Sequence, residues 1–509
     1  MSHQPFRPNI NKQKNEGMSS YDIEACEENY FGTDPNRKEC KDSAFLKYLT
    51  NTQSEFHLAF AEFDDQGLLH NPKNVKSILN KYKTIVENSQ NHSVNGIEQS
   101  VIFLVYVHGW HHSARYDDNN VEKFRDLLNK AATFFNPTNT VSGEQRKKVI
   151  GLYVGWRGDS IELPILDMAT FFDRKNTAHE IGTQGLSALM LQIEDVMKVQ
   201  KNGTYQQQNK DKLISIGHSF GAAALFSATG PLLAERVVNS SRFAASGKVK
   251  GFGDLTILLN PAFEAMKTLS LFQLYQNDCM DYGRNQPPRL VTLSSDADWP
   301  VKNGFPIGRR LGIMFEEHSE DKEIDYCFTN ENQRTQNPGI RPKNMTRKID
   351  SYFADIRSVT HFGPLVTHDM TLIKVKPNEK TDCPESSELD KSNELMFSNF
   401  LGSENPLCPN VYDIRSCEVL ESFQVDRDSY KQLINNDLEC KPSNDEIVLR
   451  VVPRFITHPS SPFMNILVSE DIMPGHNEIW GPAVQLFFLS MLDLTVEDTS
   501  LQMQLQKLN

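Results

Sequence analysis

The sequence predicts an α/β fold built on a doubly wound, mostly parallel sheet. Two observations carry this. Six short runs are almost wholly apolar and rich in β-forming residues: Val101–Val107 (VIFLVYV), Val149–Val154 (VIGLYV), Leu213–Ile216 (LISI), Leu255–Leu259 (LTILL), Leu290–Leu293 (LVTL) and Phe463–Val468 (FMNILV). Strands apolar on both faces belong in the interior of a parallel sheet covered by helices. The stretches between them keep helical spacing, and strands alternating with helices wind into such a sheet. At 509 residues the chain is also too long for one simple compact unit.

Taken in order, residues 1–52 are polar and irregular and read as an N-terminal extension. Phe56 to Leu69 reads as a hairpin, because Phe56, Leu58 and Phe60 alternate with smaller residues and Asp64-Asp65-Gln66-Gly67 supplies turn chemistry. Asn74 to Glu87 reads as a helix with Val75, Ile78, Leu79, Tyr82 and Ile85 on one face. The first core part is expected over 53–300. It includes a helix from Ala178 to Lys198, in which Ile181, Leu186, Leu189, Met190, Ile193 and Met197 recur at helical spacing. The stretch 301–461 is mixed and polar, and it reads as an inserted α+β subdomain, since a structureless loop of that length is uncommon. It departs after one expected functional loop and returns before another, a placement that suits a cap over a pocket. Residues 462–509 hold the last strand, a helix from Trp480 to about Leu492, and a polar tail.

Composition narrows the function classes. A net charge of −13 argues against nucleic acid as partner, since phosphate binding needs a concentrated basic face. Short basic patches at Arg309–Arg310 and between Arg341 and Lys348 read as solvated surface. The longest clean apolar run, Val101–Val107, falls far short of the roughly 20 residues of a membrane helix. The N-terminus has no apolar stretch of the Sec type, so a cytoplasmic protein is the default expectation. The eight cysteines form no C-x-x-C pair, and without a secretory signal they are expected as thiols.

The strongest chemical signal is Gly217-His218-Ser219-Phe220-Gly221, a G-x-S-x-G directly after the run LISI and before the helix former AAALFSA. A sharp strand-to-helix turn there exposes the serine hydroxyl, and the helix N-terminus favours negative charge beside it. With this context the chain resembles the α/β-hydrolase family, in its lipase and esterase branch, over the six runs and their helices. HGWHHSA and GWRGDS, with FFDRKNTA after them, look like one subgroup of that family. The polar Ser215 in the preceding strand departs from the family pattern, and a hydroxyl there is expected to bond a backbone carbonyl.

The resemblance implies a sheet of α/β-hydrolase type and a carboxylic ester hydrolase working through an acyl-enzyme, with a small-molecule or lipid ester as substrate and no cofactor. Thioesterase, peptidase and acyltransferase chemistry use the same residues, and a non-catalytic binding scaffold is the alternative of another class. Ser219 is the expected nucleophile. His108-Gly109-Trp110 follows VIFLVYV, where the family places half of an oxyanion hole; the expected donors are the backbone N–H groups of Trp110 and Phe220, with His108, Gly109, Gly217, His218 and Gly221 supporting. His108, His111 and His112 have no carboxylate or cysteine at ligand spacing beside them, so no metal is expected. The acid is expected at Asp298, after LVTL, with Asp296 and Glu264 as competitors, and the histidine at His476 in the Pro-Gly-His turn after the last run, with His361 and His368 as alternatives. Arg157, after the run VIGLYV, reads as a partner of Asp159 or another carboxylate, or as a contact for an anionic substrate group.

Overall fold

A computed structural model describes residues 4–12, 23–29, 40–50, 54–91, 93–94, 97–136, 147–158, 167–201, 204–206, 211–241, 249–276, 286–314, 316–318, 322–328, 343–375, 412–415, 446–453 and 461–496. The chain divides into two compact units, Met1–Thr229 with Val496–Asn509, and Gly230–Thr495. Each contains a mostly parallel sheet with helices in its connections, the pattern of a doubly wound α/β fold.

The first unit's strands are β1 (Cys26–Asn29), β2 (Phe45–Leu49), β3 (Glu55–Glu62), β4 (Ser100–Val107), β5 (Lys147–Gly155) and β6 (Lys212–His218). Their order is β6-β4-β5-β3-β2-β1. The β6/β4, β4/β5 and β5/β3 pairs are parallel, and β3/β2 is antiparallel. Parallel neighbours need crossovers. Helix α1 (Pro72–Asn91) joins β3 to β4, and α2 (Asn119–Phe135) joins β4 to β5. Helix α3 (Asp167–Ile181) runs through a π-helical turn, Gly182–Leu186, into α4 (Ser187–Val196) before β6. Every residue of β4 and β6 is buried, as two-sided apolar strands must be. The register sets Val107 opposite Gly217 and Val154, and Glu62 opposite Gly155, so the carboxyl ends of these strands share one edge. Helix α5 (Phe220–Ser241) starts directly after β6.

Several expectations change here. The extension supplies β1 and β2 to the sheet and a buried Arg7, whose backbone N–H donates to Glu62 Oε1 at 2.7 Å. The expected hairpin at 56–69 is a single strand, β3, held between β2 and β5. Only Phe63 and Leu69 bridge across the Asp64 turn, where Asp64 Oδ1 accepts from the N–H groups of Gln66 and Leu68. Of its two partners, β5 lies far off in sequence and β2 lies on its N-terminal side, which alternation alone does not reveal. Cys26 and Cys40 form a disulfide rather than the expected thiols. Cys279, Cys383, Cys408, Cys417 and Cys440 lie outside the described residues. The Ser215 hydroxyl is buried with no hydrogen-bond partner among the described residues, so the expected bond to a carbonyl does not form.

The second unit's strands are β7 (Leu255–Leu259), β8 (Leu290–Ser295), β9 (His368–Val375), β10 (Tyr412–Arg415), β11 (Glu446–Pro453) and β12 (Phe463–Val468). Their order is β10-β11-β9-β12-β8-β7. The β7/β8, β8/β12 and β12/β9 pairs are parallel, and β9/β11 and β11/β10 are antiparallel. The stretch 301–461 thus contributes β9, β10 and β11 to the same sheet as β12. It also holds a two-stranded ladder of Lys322–Phe328 with Lys343–Ile349. Helix α6 (Met266–Gln276) follows β7. A π-helical turn, Pro300–Gly304, leads into α7 (Phe305–Gly312) after β8. Helix α8 (Ser351–Ile356) precedes β9, and α9 (Pro482–Val496) follows β12. Among the described residues no helix is long and apolar enough to cross a membrane.

Candidate active site

Ser219 occupies the single residue between β6 and α5, and its backbone is left-handed, with φ 56°. A left-handed turn is costly for a side chain with a Cβ, and such strain persists where the surroundings impose it. The imposing contacts are visible. The Ser219 carbonyl accepts from the N–H groups of Ala222 and Ala223, at 3.1 and 3.2 Å, starting the helix at once. A Cβ on Gly221 would stand 2.2 Å from the Val107 carbonyl oxygen, and one on Gly217 would stand 2.8 Å from Ala222 Cα. Only hydrogen fits at these two positions, so the chain reverses tightly and α5 starts against the end of β4. His218, Ser219 and Phe220 are all buried.

The turn after β4 packs against this serine. A Cβ on Gly109 would stand 2.9 Å from Ser219 Cβ and 3.0 Å from the His218 carbonyl oxygen. The turn is braced by the loop after β5. Trp156 N–H donates to His108 Nε2 at 3.0 Å, and the Trp156 indole N–H donates to the His108 carbonyl at 2.9 Å. His108 Nδ1 lies 2.8 Å from the Gly109 carbonyl. His111, itself left-handed at φ 64°, donates its N–H to the Gly158 carbonyl at 3.0 Å, and Trp110 stacks on its ring. Burial pushes the His108 imidazole down to about 4, so it is neutral at physiological pH. A carboxylate does stand beside these histidines: Asp118 Oδ1 is 3.2 Å from His112 Nδ1. The same side chain caps α2 by accepting from Asn120 N–H and holds Ser113 N–H, so helix capping accounts for it.

In the second unit, His476 Nδ1 lies 2.8 Å from Asp298 Oδ2. Asp298 is fully buried, and its other oxygen accepts from Val301 N–H at 2.9 Å, at the start of the π-helical turn. Asn260, which the sequence reading passed over, ties this pair to the sheet. It directly follows β7 with φ 41°, and its amide donates to the carbonyls of His476, at 2.9 Å, and Gly475, at 3.3 Å. Its Oδ1 accepts from Ser295 N–H at 2.8 Å. The available signal was an Asn-Pro directly after an apolar strand, in LLNPAF.

The competing residues are engaged elsewhere. Asp296 is exposed and pairs with Lys302 at 2.6 Å. Glu264 is buried against Arg309 Nε at 3.0 Å. Arg309 also donates to both oxygens of Asp355, so it is a half-buried ion-pair partner and not simply part of a solvated patch. His361 uses both ring nitrogens, Nε2 toward the Ser295 carbonyl and Nδ1 toward Ser358 Oγ; burial, opposed by nearby Asp298, holds its pKa below the usual histidine value. His368 is buried in β9, bonded to Thr367 Oγ1, and burial pushes it down to about 3. Arg157 lies 3.6 Å from Asp65, while Asp159 is outside the described residues. Glu316, His318 and Asp355 stand close enough together to share an ion, but Arg309 already provides the cation, reaching Glu316 as well as Asp355.

No family model and no curated protein matches the sequence. Two solved structures of phospholipase PlaB from Legionella pneumophila, one in complex with thio-NAD, align with it at 10% and 9% identity. Each alignment covers 72% of this chain and 93% of that chain, with a TM-score of 0.20.

Proposed function

We propose that the chain is a serine hydrolase of α/β-hydrolase type that cleaves carboxylic esters, of small molecules or of lipids, through an acyl-enzyme. The observation that carries this reading is the left-handed Ser219 between β6 and α5, with the glycine of the His108-Gly109-Trp110 turn packed on its Cβ. That is the geometry a nucleophile elbow needs, with backbone donors at hand for an oxyanion. The Asp298–His476 pair supplies the remaining chemistry.

In this reading Ser219 Oγ attacks the acyl carbonyl and His476 Nε2 takes its proton. The Asp298 carboxylate accepts from His476 Nδ1–H, which leaves Nε2 as the base and stabilises the imidazolium that forms. The N–H groups of Trp110 and Phe220, with the N-terminus of α5, stabilise the oxyanion. The imidazolium gives its proton to the leaving alcohol, and water then releases the acyl group by the same steps. The test is turnover of matched ester, thioester and anilide substrates by the wild type and Ser219→Ala. The expected result is hydrolysis with ester preference, lost by about 10⁶-fold in the alanine variant with its circular dichroism unchanged. Wild-type turnover in the alanine variant would remove the assignment, and anilide preference would change the substrate class.

A further inference from the structure

We propose that His108 and Trp156 are positioning residues that aim the Trp110 N–H by locking the Gly109–Trp110 peptide in one orientation. The inference rests on the reading of Ser219 as nucleophile and adds to it a second layer, which the residue types alone do not disclose.

Trp156 N–H donates to His108 Nε2, so that nitrogen carries no proton. The ring is neutral, as its burial requires, and its proton therefore sits on Nδ1. Nδ1–H then donates to the Gly109 carbonyl at 2.8 Å. The peptide after Gly109 is trans, like every other among the described residues. In a trans peptide the C=O and N–H of one plane point in opposite directions. Holding the Gly109 carbonyl on the His108 side therefore directs Trp110 N–H to the other side. A second contact fixes the same side for the carbonyl: a Cβ on Gly158 would stand 2.9 Å from the Gly109 oxygen. Trp156 completes the lock. Its backbone sets the His108 tautomer, its indole N–H holds the His108 carbonyl, and its ring stacks on the imidazole at 5.5 Å and 6°. Both residues are buried, so water does not compete for these bonds. An N–H stabilises a developing oxyanion only if it is oriented before the charge appears, and that is what the arrangement provides.

Three substitutions separate aiming from mere packing. Trp156→Phe keeps a stacked ring and the backbone N–H and removes only the indole donor. His108→Asn keeps a donor near Nδ1, whereas His108→Gln keeps an acceptor near Nε2 and removes the donor to Gly109. Each variant is first titrated with a fluorophosphonate to count reactive sites, and kcat and KM are then measured per titrated site. A trifluoromethyl ketone, which adds to a serine to give a tetrahedral oxyanion, is assayed for Ki. The expected result is a fall in kcat of about 10- to 100-fold for His108→Gln and a smaller fall for Trp156→Phe, with KM nearly unchanged. Ki should rise in proportion, and His108→Asn should recover part of both. Unchanged kcat and Ki per titrated site in His108→Gln would overturn the proposal, as would losses confined to thermal stability. If instead the wild type is not labelled at Ser219, the underlying reading fails, which is a distinguishable outcome. If His108→Gln does not fold, Trp156→Phe alone decides: parallel shifts in kcat and Ki support the proposal, and unchanged values overturn it.

Discussion

Asp298 and Asp296 belong to the same short loop, and the structure treats them oppositely. Asp298 is buried on His476, and Asp296 lies in solvent on Lys302. An exposed pair of the latter kind contributes between nothing and about 1 kcal/mol. In the proposed mechanism the Asn amide at 298 removes the charge that fixes the His476 tautomer. Asp298→Asn should therefore lower kcat by about 10⁴-fold, and Asp296→Asn should leave it within about threefold. Steady-state kinetics on one activated ester compares them, and a larger loss at 296 would move the acid. At this scale the sequence was informative where a motif has fixed neighbours. G-x-S-x-G and HGW sit directly beside an apolar run, PGH follows one after a five-residue loop, and the run marks a strand end. Asn260 was not legible, because its three bonds join β7 to β8 and to the loop after β12, all distant in sequence. A supporting role for His108 was legible, but Trp156 as its partner was hidden for the same reason: their bonds join the ends of two strands brought side by side only by folding.

Elements followed their periodicity where burial is complete. All six apolar runs are strands, because a residue run buried on both faces carries the signal at every position. The strands β1, β2, β9, β10 and β11 were missed. They stand toward the outer edges of their sheets, several pair antiparallel, and their composition is mixed, so no continuous apolar run announces them. The helix expected over Ala178–Lys198 contains a π-helical turn that no period reveals. Its Gly182 lies against α5: a Cβ there would stand 2.4 Å from the Ala224 carbonyl oxygen and 2.7 Å from Ser227 Cβ. A backbone oxygen gives way only if a helix moves. Gly182→Ala should thus destabilise the fold by about 1–3 kcal/mol, against the usual helix preference for alanine. Urea denaturation measures it, and an equal or higher midpoint would contradict the packing described.

At the scale of the whole molecule, stability should fall on the acid side through buried neutral histidines. His57 and His368 are pushed down to about 3 and His108 to about 4, in each case by burial first of all. The unfolded chain takes up these protons near pH 6.5, and the folded chain only near pH 3 to 4. The unfolded state therefore binds more protons across that window. The contribution is complete above about pH 6.5 and is lost progressively as pH falls toward 4. His57, stacked on Phe45 within β3, is far from the proposed chemistry along its strand. His57→Phe should reduce the slope of unfolding free energy against pH by up to about 1.4 kcal/mol per pH unit between pH 6 and 4. An unchanged slope would mean that His57 titrates alike in both states.

The proposed chemistry turns on one oxygen atom, Ser219 Oγ, and a mechanism-based probe reports on it. The full chain is treated with a fluorophosphonate near neutral pH, digested, and mapped by mass spectrometry. The expected result is a single stoichiometric adduct on the peptide containing Gly217-His218-Ser219-Phe220-Gly221, with fragment ions placing it on Ser219 and ester hydrolysis lost in step with labelling. Complete hydrolytic activity with that peptide unlabelled, or an adduct at another residue that accounts for the lost activity, would contradict it.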